Sequence, residues 1–408
     1  MTPRSPKTLS HGHRPAASRD TVPSAAVPGV APNLLHVFPS FEVGGVQVRT
    51  AAIINSLEGR YRHTILALNR DDQCRSRIDG GLEVSYLSGP AQGGGLVASF
   101  KFAHKTLTSL RPDLLLTYNW GTMDWALVNT LFGICPHIHH EDGFNLDEAE
   151  GQKLRRVLYR RLCLRRRSHV IVPSQSLQVL AAKTWKLNEG KLIHIANGID
   201  GTRFQVSQPP AKPVALRDLP VIGAVAPLRA EKNLHLLIQA VASLAAEMPV
   251  GLLIVGDGPE RSRLEALAKG FDPALRAVFL GHVDDIARGF SMIDIFALTS
   301  RTEQMPLSVL QAMAAAKPIV SVDVGDVKCM VSPDNRPFIV PRGDERALGR
   351  AFRDLLADER KRHEIGRANA DWLRDHYRED AMIEAHARVI AETLQQGAAR
   401  RHASPAQG

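Results

Sequence analysis

Glu303 and Gln311 lie in T-E-Q-M-P-L-S-V-L-Q-A-M-A-A-A-K-P-I-V-S-V, where the apolar strand I-D-I-F-A-L runs into a carboxylate and then a helix. A helix start leaves several backbone N–H groups without intrahelical partners and carries partial positive charge, so it attracts anions. A free carboxylate beside such a start suits a sugar hydroxyl next to a phosphate. Pro306 fits the first helical turn, and Gln311 falls a little over one turn beyond it. Taken alone, Glu303 reads equally well as an ordinary capping acid.

Other candidates also follow apolar strands, where open parallel sheets place their ligands. In A-V-A-P-L-R-A-E-K-N, Arg229 and Lys232 stand at a strand-to-helix junction, where cations could meet a diphosphate and stabilise it as a leaving group. In F-P-S-F-E-V-G-G-V-Q, Gly44 and Gly45 precede a helix and allow ligand or backbone to approach closely. The segment P-H-I-H-H-E-D-G-F-N gathers His137, His139, His140, Glu141 and Asp142. On a strand His137 and His139 share one face while His140 points away, so a three-histidine metal site would need a kink. A structural histidine network and a substrate contact both remain open there. V-G-D-G-P-E lacks the third glycine of a dinucleotide fingerprint and reads mainly as a turn.

Strands such as N-L-L-H-V-F, T-I-L-A-L and D-L-L-L-T-Y alternate with helical segments, and the pattern restarts at V-I-G-A-V-A. Continuous apolar strands between helices imply parallel sheets covered on both faces, hence an α/β chain of two Rossmann-like doubly wound domains. A chain of 408 residues is also too long for one comfortable core. The expected layout is a disordered tail over 1–31, a first domain over 32–205 and a Pro-rich linker over 206–219. A second domain then covers 220–371, a helix over 372–396 is placed to pack back on the first domain, and a disordered tail covers 397–408.

The formal charge of +9 is compatible with nucleic acid, anionic lipid or phosphorylated small molecules. Only 5% of residues are aromatic, so stacking platforms for single strands are poorly supplied, and no nucleic acid is expected as a partner. The four cysteines lack C-x-x-C spacing, which fits a reducing, cytoplasmic setting. No apolar run approaches the ~18 residues of a membrane span, so membrane contact is expected to be peripheral, on the inner face. Lys153 to Arg167 carries eight basic residues in fifteen and no acid. With Leu154, Val157, Leu158 and Leu162 packed inward, its cations could meet an anionic membrane surface, or simply form a solvated basic face.

Together these loops resemble the retaining glycosyltransferases of family 4, which have the two-domain GT-B fold, and most of all the bacterial members that build exopolysaccharide or other cell-envelope glycans. The resemblance runs from H-V-F-P-S-F-E-V-G-G through I-A-N-G-I-D and A-P-L-R-A-E-K-N to R-T-E-Q-M-P-L-S-V-L-Q-A-M-A. It implies a nucleotide-diphosphate sugar held mainly by the second domain and a saccharide or lipid-linked acceptor entering on the first. Arg229 and Lys232 would hold the diphosphate with backbone N–H groups around Gln304, Met305, Pro306 and Leu307. Glu303 would contact sugar hydroxyls, Gln311 the ribose, and Gly44 and Gly45 the donor phosphates and acceptor. His140 would be the histidine of the first domain, with His139, Glu141 and Asp142 on the acceptor side. The resemblance implies no metal and no cofactor beyond the donor.

Three residues depart from the family pattern. Gln311 replaces the second acid of a pair, Ala316 stands where a helix end favours glycine, and Pro227 where many relatives carry a phosphate-binding arginine. Two rival readings are a non-catalytic sugar-nucleotide-binding or scaffolding protein and a GT-B sugar-nucleotide epimerase.

Overall fold

The computed structural model describes residues 31–90, 95–144, 146–148, 151–206 and 210–403. The first strands, β1 (Asn33–Phe38), β2 (Arg62–Ala67), β3 (Val84–Ser88), β4 (Leu114–Tyr118), β5 (His137–His140), β6 (Ser168–Val172) and β7 (Leu192–His194), alternate with helices. These helices are α1 (Gly45–Ser56), α2 (Gly95–Leu110), α3 (Met123–Phe132), α4 (Leu154–Leu164) and α5 (Gln175–Lys183). The strands form one parallel seven-stranded sheet in the order β3-β2-β1-β4-β5-β6-β7. Runs such as Leu34–Leu35 and Leu114–Leu116 are buried on both faces, as helices on either side of a parallel sheet require.

The second lobe repeats the plan with β8 (Val221–Val225), β9 (Gly251–Val255), β10 (Arg276–Gly281), β11 (Ile295–Leu298), β12 (Ile319–Val322) and β13 (Ile339–Val340). Its parallel six-stranded order is β10-β9-β8-β11-β12-β13. Helices α6 (Leu234–Ala245), α7 (Arg261–Lys269), α8 (Ile286–Ser291), α9 (Leu307–Ala314), α10 (Val327–Met330), α11 (Glu345–Ala357) and α12 (Glu359–His376) cover it. In each sheet the order reverses beside the first strand, between β1 and β4 and between β8 and β11. Loops leaving such neighbours diverge and open a crevice.

The chain then turns at Tyr377–Arg378, where the Ile199 N–H donates to the Tyr377 carbonyl at 3.1 Å, and enters α13 (Glu379–Ala403). Met382, Val389 and Ile390 of α13 join the core of the first lobe around Leu34, Phe38 and Ile54. The tail expected from 397 is instead helical through Ala403, because this apolar stripe docks the helix and carries its last turns with it. The expected tail over residues 1–30 and the last residues, 404–408, lie outside the described residues, as do linker residues 207–209.

Helix α4 corrects the reading of the basic segment. Its inward positions are Val157, Arg160, Cys163 and Leu164, whereas Leu154, Leu158 and Leu162 are 72%, 52% and 58% exposed. Arg160 is fully buried, bonded to Glu141 at 3.1 Å and to Glu148 at 3.2 Å. Its guanidinium also lies 4.9, 5.3 and 4.8 Å from the ring centres of Trp120, Phe144 and Trp185. Two carboxylates and an aromatic box repay its desolvation, so the arginine takes the inner face and the leucines are turned outward.

Candidate active site

The loops after β8 and β11 meet at the crevice of the second sheet. Asn233 adopts a left-handed conformation at φ 51°, which ends the β8 loop and starts α6. The Thr299 hydroxyl donates to the carbonyls of Lys232 and Asn233, and the Arg301 N–H donates to the Glu231 carbonyl at 2.8 Å. These ties bring the Lys232 ammonium to 2.7 Å from the Glu303 carboxylate, with side-chain exposures of 21% and 12%. Lys232 and Glu303 thus form one partly shielded ion pair at the mouth of the crevice, just ahead of α9.

The turn before α9 is braced from behind. Gly325, at φ 57°, lies so close that a Cβ there would come within 2.4 Å of the Gln304 carbonyl oxygen and 2.6 Å of that of Glu303. Only glycine fits that contact. The Asp326 N–H donates to the Gln304 carbonyl at 2.8 Å, and Pro306 caps α9 without a side-chain hydrogen bond. The first N–H groups of α9 therefore keep their capacity for an anion.

The same turn faces the first lobe. Ser174 donates to the Gln304 side-chain oxygen at 3.1 Å, and Asn197 donates to the Met305 carbonyl at 2.8 Å. Leu307 lies over Gly45, its Cδ1 3.1 Å from where a Cβ would stand, so Gly45 is what lets the lobes approach here. Gly44 is less constrained, since an added Cβ would meet chiefly the flexible Gln47 side chain. Asp326 accepts from the N–H groups of Gln175 and Ser176 at the start of α5, at 2.6 and 3.1 Å. Arg229 also reaches across the crevice, donating to Glu42 at 2.8 Å, with both side chains well exposed. Gln311 is half-buried on α9.

The first-lobe candidates separate into interior and rim. His137 and His139 share the Thr117 hydroxyl at 2.8 Å each, in keeping with one strand face. His139 and Glu141 are wholly buried, the latter against Arg160, and so brace the lobe rather than line the crevice. His140 stacks between Tyr118 and His386, with centroid distances of 4.8 and 5.5 Å, and its Nδ1 is buried without a partner. It ends a buried row in which His36 bonds both Tyr118, at 2.9 Å, and His63, at 3.0 Å. Burial pushes His36 and His140 well below the usual imidazole range and His63 and His386 down to about 4, while it raises Tyr118. The histidines of the row are therefore neutral at pH 7. Asp142, at the rim, is held by both guanidinium nitrogens of Arg49 at 2.5 and 3.0 Å. Among the described residues no group of three His, Cys, Asp or Glu is spaced to hold a metal ion.

Glu42, Arg49, Ser174, Asn197 and Asp326 were missed as site residues. Arg49 carried a signal as an isolated cation in the otherwise apolar or neutral G-V-Q-V-R-T-A-A-I-I of α1, and Glu42 and Asn197 lie inside the quoted stretches F-P-S-F-E-V-G-G-V-Q and I-A-N-G-I-D without having been singled out there.

Comparison with known proteins matches residues 43–203 to the family described as "Glycosyltransferase Family 4" and residues 210–372 to "Glycosyl transferases group 1". The N-acetyl-alpha-D-glucosaminyl L-malate synthase of Bacillus anthracis is 26% identical over 41% of this chain and 44% of its own length. The lipopolysaccharide core biosynthesis glycosyltransferase LpsE of Rhizobium meliloti is 26% identical over 52% of this chain and 62% of its own length. The matched stretch thus spans about half the length of these relatives. Among solved structures, Anabaena Alr3699/HepE in complex with UDP and glucose superposes with a TM-score of 0.72 at 20% identity, over 88% of this chain and all of the other. The lipopolysaccharide glycosyltransferase WaaG superposes at 0.70 and 13% identity, over 88% and 99%. At these identities the structural likeness speaks for the fold, which is GT-B.

Proposed function

The chain belongs to glycosyltransferase family 4, with the GT-B fold, and from that premise we propose that it moves a sugar from a nucleotide-diphosphate donor to a saccharide or lipid-linked acceptor in cell-envelope or exopolysaccharide synthesis. The anomeric configuration is retained in this reading. The observation that carries it is the Lys232–Glu303 pair, fixed at the switch point of the second sheet directly before the start of α9, whose first turn has no side-chain cap.

In this reading the donor diphosphate lies at the start of α9. The Lys232 ammonium and the N–H groups of Met305 and Leu307 meet its oxygens, and Arg229 leaves Glu42 to join them. Those fixed positive groups face the charge that grows on the diphosphate as the glycosidic bond breaks, the kind of preorganised stabilisation worth about 3–4 kcal/mol per donor in other enzymes. Glu303, drawn to the same spot by Lys232, accepts a hydroxyl of the transferred sugar. Asp142 stands at the acceptor rim, and closure of the lobes along Gly45 and Leu307 excludes water and favours transfer over hydrolysis. No metal or further cofactor has a part in this scheme. Some relatives are named for UDP-bound and others for GDP-mannose-dependent activity, so the base stays open.

The test is turnover of a panel of nucleotide sugars, with and without saccharide acceptors. Wild-type turnover that disappears in Lys232→Ala and Glu303→Ala supports the transferase. Donor binding without turnover across the panel indicates the binding-protein reading, and interconversion of donors with no acceptor present indicates an epimerase.

A further inference from the structure

We propose that the outer face of α4, with the adjoining end of α3, docks the protein on an anionic lipid surface. Leu154, Leu158 and Leu162 recur every fourth residue and form a single exposed apolar stripe along a helix whose inner side is already filled by Val157, Arg160 and Leu164. Leu131, 59% exposed, stands at the end of α3, which Thr130 ties to α4 through a 2.7 Å bond to the Cys163 carbonyl, whereas Phe132 beside it packs against His104 and Phe100 of α2. Large aliphatic side chains gathered outward in this way mark an interaction surface.

The charges around the stripe decide what covers it. Arg155, Arg165, Arg166 and Arg167 are exposed and make no ion pair among the described residues, while Lys153 and Arg156 are already matched by Asp147. A second copy meeting this face symmetrically would bring arginines against arginines. The first 30 residues of the chain carry Arg4, Lys7, Arg14 and Arg19 against one acid, Asp20, so like charge also disfavours their lying here. A leaflet rich in anionic headgroups satisfies both parts at once, with leucines in the acyl boundary and arginines among the phosphates.

The test needs neither donor nor acceptor, so its outcome is separate from that of the transfer reading. Vesicles of phosphatidylcholine alone, or mixed with phosphatidylglycerol, are floated with the full chain at about 0.1 M and about 1 M salt, which shortens the screening length from about 10 to about 3 Å. The expected result is partition onto the anionic vesicles only, reduced by about tenfold or more at high salt. The same loss is expected in L154Q/L158Q/L162Q and in R155Q/R165Q/R166Q, each melting as the wild type does because none of these side chains is buried. Absence of wild-type partition, or unchanged partition of the leucine variant, would overturn the proposal. So would a concentration-dependent wild-type dimer that the leucine variant abolishes, which would assign the face to a second copy.

Discussion

Replacing Ala316 by glycine will stabilise the protein. Helix α9 ends in a Schellman arrangement, with the Lys317 N–H donating to the Ala312 carbonyl and the Ala316 N–H to that of Met313, both at 2.9 Å. Ala316 occupies the left-handed position of that motif at φ 52° and is exposed, so removing its methyl group forfeits no packing. An L-residue held there costs about 1–2 kcal/mol. Glycine gives back about 0.4–1 kcal/mol through the greater freedom of the unfolded chain. The net gain is about 0.5–1 kcal/mol, which for a lobe of this size corresponds to roughly 1–4 °C in melting temperature. Urea unfolding of Ala316→Gly should show a higher midpoint at unchanged slope, and Ala316→Val, whose branched side chain fits the left-handed region worse, a lower one. A glycine variant that melts at or below the wild type would show that Ala316 carries no such strain.

Gln311→Glu supplies a charged acceptor where the chain has a neutral one, and titration of the donor should show affinity about three- to tenfold higher; no change would mean that position 311 does not touch the donor. Glu42→Gln releases Arg229 from an exposed ion pair worth at most about 1 kcal/mol, so donor affinity rises by no more than about fivefold, whereas a fall would show Glu42 itself contacting the donor. The buried histidines set a pH dependence. His63 and His386 titrate at about 4 when folded, against ~6.5 when unfolded. Between those values the unfolded chain takes up protons that the folded one refuses, and each residue lowers stability by about 1.4 kcal/mol per pH unit as the pH falls. A urea midpoint that stays flat from pH 7 to 5 would contradict this.

Apolar strands alternating with helices sufficed to read two parallel sheets, because a sheet buried on both faces leaves an uninterrupted run in the sequence. Lys232 and Glu303 were each legible as candidates for a related reason, since both sit one short loop beyond a buried strand, but their pairing with each other was not. What escaped depends on contacts distant in sequence. Arg160 looks like one cation among many in α4 until Glu141, Glu148 and three aromatic rings close around it, and that burial is what turned the leucine stripe outward. The bridges Arg229–Glu42, Asn197–Met305 and Asp326–Gln175 join the two lobes, and no local pattern of either partner announces the other. The interior placement of His140 likewise required α13 to return and set His386 against it.

The most direct measurement is titration of a panel of UDP- and GDP-sugars while following the melting temperature of the wild type, Lys232→Ala and Glu303→Ala. A bound donor adds stability as RT ln(1 + [L]/Kd), so a true ligand raises the midpoint steadily with concentration. Such a rise is expected for at least one nucleotide sugar in the wild type, with its loss in both variants. A rise that persists undiminished in both, or no rise with any nucleotide sugar, would contradict a diphosphate site at the start of α9.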